Sequence, residues 1–218
     1  MAEFYKNFLA PTKTVWSMLA IVAAIAVFAF ICTRKTKEVP GPLQNLAEMA
    51  VSGLVGFYAG IMGEKKARQY FPVLATFFIF IIVCNYCGLL PGAGEGFTVP
   101  TSVLAVTVGL SLTAFFTIQT CGIKHHGALG YFKTFLKPVW VLFPIMILEQ
   151  LTRPISMALR LYGNIYGEEL ATETLFELVP LVVPLVMNVL SLLFCFIQAM
   201  VFSMLLGIFI NEATEDEE

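Results

Sequence analysis

Leu148-Glu149-Gln150-Leu151-Thr152-Arg153-Pro154-Ile155-Ser156-Met157-Ala158-Leu159-Arg160-Leu161-Tyr162-Gly163-Asn164 lies inside a hydrophobic stretch running from about Val139 to Ile210. Two guanidinium groups therefore sit where a lipid-facing helix would carry apolar side chains. A charge at mid-membrane costs about 3 kcal/mol or more, so such residues normally face a partner or water. Helical phase argues against a surface helix with a polar stripe. At about 100° per residue, Glu149, Arg153, Ser156, Arg160, Asn164 and Gly167 stay within about 40° of one line. Their neighbours are Ile, Leu, Met and Ala, with no further lysines to hold a surface position. Glu149 and Arg153 are four apart and can pair. Arg160 has Ser156 and Asn164 at the corresponding positions. Glu168 falls about 80° from the Arg160 line and Glu169 about 180° from it. An arginine cannot shed its proton, so the counter-charge for Arg160 must come from elsewhere, most simply another chain.

Working outward, Pro180 and Pro184 are expected to mark a turn between two helices, Val139–Leu178 and Leu181–Asn211. At 1.5 Å per residue the first would be nearly 60 Å long, against a hydrocarbon core of about 30 Å. It must be broken or steeply tilted, and the second is also too long to stand upright. Such a pair suits a surface that follows something large and curved.

The rest of the chain agrees with lipid as the solvent. Of 218 residues 58% are hydrophobic and 13% charged, with mean hydropathy +0.83; a water-soluble domain carries roughly a quarter charged residues. Net charge, -2, is uninformative because placement matters more than sum. Further spans are expected at Val15–Cys32, Phe71–Leu90 and Pro100–Thr120. The first reads as a retained helix rather than a signal peptide: it is long for an h-region, and Arg34, Lys35 and Lys37 stand where a cleavage site belongs. Val39–Gly63 opens on Pro40-Gly41-Pro42, carries Gln44, Asn45 and Glu48, and reads as an interfacial or re-entrant helix with a true crossing as the alternative. Cys84-Asn85-Tyr86-Cys87 has CxxC spacing inside an apolar run with no second pair, which suits packing rather than metal.

Arg34, Lys35, Lys37, Lys65, Lys66 and Arg68 bracket the interfacial segment, and Lys124, Lys133 and Lys137 follow the third span, whereas Pro91–Val99 has no Lys or Arg. The positive-inside rule makes the two basic regions cytoplasmic, with the N-terminus and the Pro91–Val99 loop external. The acidic tail, Glu212 and Glu215 to Glu218, is then cytoplasmic.

The segment from Leu148 to Asn164 resembles the signature helix of subunit a of the rotary F-type ATP synthase, as does Ile197-Gln198-Ala199-Met200-Val201-Phe202. Val39 to Glu48 and Phe71-Pro72 through Asn85 to Pro91 are similar to the same family, so the likeness extends from about residue 38 to the end. The resemblance implies that Arg160 faces a rotating ring of small subunits, each with a mid-membrane carboxylate. Ions would enter by one half-channel, neutralise a ring carboxylate, ride round and leave by a second. Arg160 would attract the emptied carboxylate and block leakage between the two. Asn164, Glu169 and Gln198 match positions linked to the ion path, with Glu169 lining the inlet. Some members carry a histidine seven residues before the glutamine and a glycine before the glutamate; here those positions are Ser191 and Glu168. Proton handling is therefore expected of a Glu168/Glu169 pair sharing a proton, since His125 and His126 lie in the cytoplasmic loop. Implied partners are the c-ring, the peripheral-stalk b subunits and, indirectly, the F1 sector, with lipid around and no nucleic acid. The setting would be a bacterial inner membrane.

The expectation is thus an all-α integral membrane protein of about five transmembrane helices and one interfacial helix. It forms one transmembrane domain over 1–218: an N-terminal helix in 1–37, the interfacial or re-entrant segment in 38–68, a two-helix hairpin with its cytoplasmic loop in 69–138, and the long tilted pair carrying the ion path in 139–218. Gly92-Ala93-Gly94-Glu95-Gly96 lacks the Lys-Ser/Thr end of a phosphate loop. Nucleotide chemistry is therefore left to partner subunits; no cofactor or metal is expected, and the chain is non-catalytic itself. The competing reading, a self-contained secondary ion transporter or channel, calls for paired repeats, and the Arg160 segment has no second copy.

Overall fold

The computed structural model describes residues 11–33, 41–89, 99–127, 143–178 and 183–215. They form six long helices: α1 Pro11–Thr33, α2 Pro42–Met62, α3 Glu64–Cys87, α4 Leu104–His126, α5 Phe143–Leu178 and α6 Val183–Ala213, with a 3-10 turn at Pro100–Ser102 before α4. Gln44–Met62, Glu64–Cys87, Leu104–His126 and Val186–Ala213 are long and apolar enough to cross a membrane. The chain is an all-α membrane protein.

Within Val39–Gly63, α2 is a single unbroken helix, opened by Pro42 near its N-terminus. Only Gly63 separates it from α3. That residue has φ 79° and ψ 157°, a region a side chain would forbid, and it turns the chain sharply enough to bring the Tyr58 and Phe71 rings to 6.4 Å. Leu54, Tyr58 and Met62 pack inward, while Leu46 and Met49 on the opposite face are exposed. Helix α3 starts seven residues before the apolar run at Phe71, because its polar first turns have partners: Arg68 reaches Glu64 at 3.1 Å, and Lys66 Nζ donates to Asn211 Oδ1 and the Thr214 carbonyl, both at 3.1 Å. A lysine at the C-terminal carbonyls of α6 also complements that helix's dipole.

The core sits where α2, α3, α4 and α5 meet α6. On α3 it takes Ala67, Leu74, Phe78 and Ile81, and on α6 Ala199, Phe202, Leu206 and Ile210, in each case one helical face. The two helices run antiparallel, with Lys66 beside Asn211 at one end, Phe77 stacked on Phe202 in the middle at 6.0 Å, and the Tyr86 hydroxyl donating to the Leu192 carbonyl at the other. Lipid supplies no hydrophobic drive between helices, so close packing must do so; Ala199, Ser203 and Gly207 give α6 the small-residue face this needs. Tyr58 donates to Ser203 Oγ at 2.9 Å in full burial. Tyr58→Phe is expected to cost about 0.6 kcal/mol, the usual worth of such a bond in a membrane, and a denaturant titration of the detergent-solubilised protein measures it.

Helix α5 passes unbroken through Pro154 for 36 residues, and α6 has 31. At 1.5 Å per residue they are about 54 and 46 Å long, too long to stand upright across a core of about 30 Å. Pro184 falls inside α6, while Pro180 lies outside the described residues.

Candidate functional site: a lone arginine beside a polar cavity

Met157, Ala158, Leu161 and Ile165 form the inward face of α5. Ile155, Leu159 and Tyr166 point out, and Arg160 is exposed with them. The ion pairs among the described residues include Arg68–Glu64, Arg153–Glu149 and Arg153–Glu212, and none of them engages Arg160, which has no acidic partner among the described residues. On α6, Val189, Leu193 and Ile197 make an exposed apolar row of their own. Arg160 is thus a permanent cation among outward apolar side chains, an arrangement that lipid alone would penalise.

The polar line on α5 divides in two. Ser156, Arg160 and Gly167 are exposed, but Arg153 is 9% exposed. Its Nη2 lies 2.7 Å from Glu149 and 2.6 Å from Glu212 of α6, and its guanidinium lies 4.7 Å over the Phe209 ring. The expected Glu149–Arg153 pair exists; Glu212 is an addition that spacing on one helix could not reveal.

Toward the other end of α5 lies a cavity of 330 Å³. Asn85, Gly88 and Leu89 line it from the end of α3, Val99 from the turn before α4, Ile165, Glu168, Glu169 and Thr172 from α5, and Asn188, Ser191 and Cys195 from α6. Gly88 is needed there: a Cβ on it would sit 2.9 Å from a Val99 methyl and 3.2 Å from the Asn85 carbonyl oxygen. Both amide atoms of Asn85, Glu168 Oε2, Asn164 Nδ2 and Gln198 Nε2 are buried without a protein partner. Leaving such groups dry costs about 1–3 kcal/mol each, so a cavity of this size and polarity is a place for water. Asn164 lies one turn from both Glu168 and Arg160, and Gln198 about one turn beyond Cys195, so the unpartnered groups lead from the cavity toward the arginine.

Of the residues singled out from sequence, Glu168, Glu169 and Ser191 converge on this cavity, while Asn164 and Gln198 lie next to it rather than in its lining. His125 and His126 stand at the far end of α4 from Val99. The Glu173 side chain lies outside the described residues. Asn85, Asn188 and Thr172 were not anticipated. An asparagine inside the apolar run Phe77–Leu90 is costly in lipid, and that signal was open to reading beside the CxxC spacing. Cys84 is buried in packing, as expected.

The fold and site define a helical membrane protein whose outward arginine, without an acidic partner among the described residues, stands on the same helix as a polar cavity. Residues 14–211 match the family described as ATP synthase A chain. The chain is 39% identical over 225 residues to ATP synthase subunit a 3 of Pelobacter propionicus, covering 98% of this chain and 96% of that one. It is 38% identical over 200 residues to ATP synthase subunit a of Geobacter sulfurreducens, covering 90% and 85%. Against ATP synthase subunit a of Oleidesulfovibrio alaskensis the figures are 38% over 204 residues, 92% and 84%. The chain belongs to the ATP synthase subunit a family, the membrane-embedded Fo component concerned with ion transport.

Proposed function

We propose that this chain is the stator of an Fo motor, passing ions through two half-channels to and from a rotating c-ring. The carrying observation is Arg160: exposed, permanently charged, and without an acid among the described residues. A ring carboxylate at mid-membrane supplies the missing counter-charge each time it arrives empty. The fixed cation also raises the electrostatic barrier to a positive ion crossing directly between half-channels. The cavity around Glu168, Glu169, Asn85 and Ser191 is the inlet. Leu89 and Val99 in its lining flank the segment 90–98 in sequence, and Pro91–Val99 has no Lys or Arg, which makes it external by the positive-inside rule. Two adjacent carboxylates share a proton there, in place of the histidine found in some relatives. The b subunits and F1 complete the assembly, in the inner membrane of a bacterium with the N-terminus outside and the C-terminus in the cytoplasm.

Two measurements test this. The complex reconstituted with its ring takes up ions on ATP hydrolysis, and comparison with and without Na+ names the ion; absence of uptake in both conditions sinks the reading. Single cysteines at Gly94 and Gly127 are expected to react with an impermeant thiol reagent from opposite sides, the first from outside. Labelling of both from the same side would overturn this topology.

A further inference from the structure

Helices α5 and α6 meet in two different ways along their length. At one end they are parted by the 330 Å³ cavity, which cannot hold two helices in register. At the other, Arg153 reaches across from α5 to Glu212 on α6 at 2.6 Å while pairing with Glu149 on its own helix at 2.7 Å. The guanidinium is 9% exposed and lies over Phe209, one turn before Glu212. The same turn of α6 is also held by α3, where Lys66 donates to Asn211 Oδ1 and the carbonyl of Thr214. Two cations from two helices thus fix the last turn of α6. A fork with rigid donors fixes geometry as well as charge.

Arg160 lies seven residues along α5 from Arg153, about 10 Å. Gln198 lies fourteen residues back along α6 from Glu212, about 21 Å. We propose that Arg153 and Glu212 are positioning residues that set the register of α5 against α6, and so the placement of Arg160. The inference rests on the reading of Arg160 as the stator charge. A slip of one residue moves a helix by about 1.5 Å, and displacement of about 1 Å at a working group can cost up to about 100-fold.

The test uses the whole reconstituted complex, with ATP-driven ion uptake expressed per assembled complex and per ATP hydrolysed. Arg153→Met keeps bulk and removes charge; uptake is expected to fall about tenfold. Glu149→Gln, which touches only the contact within α5, is expected to change it less than about twofold. The exchanged double variant Arg153→Glu with Glu212→Arg keeps the same three charges across the same gap and is expected to recover most of the loss. A purely stabilising role would lower the amount of complex but leave uptake per complex unchanged. Arg153→Met at the parental level per complex, or the double variant no better than Arg153→Met, overturns the proposal. Where Arg153→Met does not assemble, Glu212→Gln serves in its place, and parental uptake by that variant overturns it equally. Arg160→Ala, run alongside, separates the two ideas: full uptake there removes the stator reading itself, whatever Arg153 does.

Discussion

Arg160→Ala is expected to reduce ion-gradient-driven ATP synthesis by at least about 100-fold, the usual scale for removing a preorganised charge from a working site, in a complex that still assembles. Assembly survives because the side chain is exposed and holds no ion pair among the described residues, so its removal strands no internal carboxylate. Losing a charge from a membrane helix also relieves an insertion cost of about 3 kcal/mol. What disappears is the attraction for the emptied ring carboxylate and the barrier between half-channels. Stripped of F1, membranes carrying this variant should therefore leak ions. Arg160→Lys is expected to fail as well, since a lysine is a compact point charge that can lose its proton when desolvated. ATP synthesis in vesicles, with assembly measured on the same preparation, decides the matter. Near-normal synthesis by an assembled Arg160→Ala complex would overturn the proposed mechanism.

The second large effect belongs to the cavity acids. Glu169→Gln and Glu168→Gln are each expected to slow ion uptake about 100-fold, the lower end of what a positioned proton-transfer group contributes, and the double variant little more than either alone. Both line the cavity, and Glu168 keeps one buried oxygen without a protein partner. Glutamine preserves their size and hydrogen bonding while removing the exchangeable charge, so a loss reports proton handling rather than packing. Glu173→Gln is the control: the resemblance matches the channel acid to Glu169 and not to Glu173, and uptake should stay within about twofold of the parent. If all three single variants pump alike, the shared-proton inlet is wrong even though the membrane fold and family remain.

Much of this protein is determined locally. Lipid punishes charge so heavily that composition alone places the chain in a membrane, and the apolar runs mark α1, α3, α4 and α6 to within several residues. The isolation of Arg160 was legible for the same reason, because an arginine cannot neutralise itself and its own helix offers Ser156 and Asn164. Helical phase also pointed Glu169 away from Arg160, and its side chain lines the cavity. Other features depend on residues far apart in the chain. Arg153 looked like half of an i,i+4 pair, but Glu212, 59 residues on, completes it. Helix α3 begins before its apolar run because Lys66 finds the end of α6, 145 residues away. The cavity is built from the ends of α3, α5 and α6 together with Val99. Spacing along one helix reports which side chains share a face; which face meets which is decided only when the helices pack, because the partners that satisfy buried polar groups come from other helices.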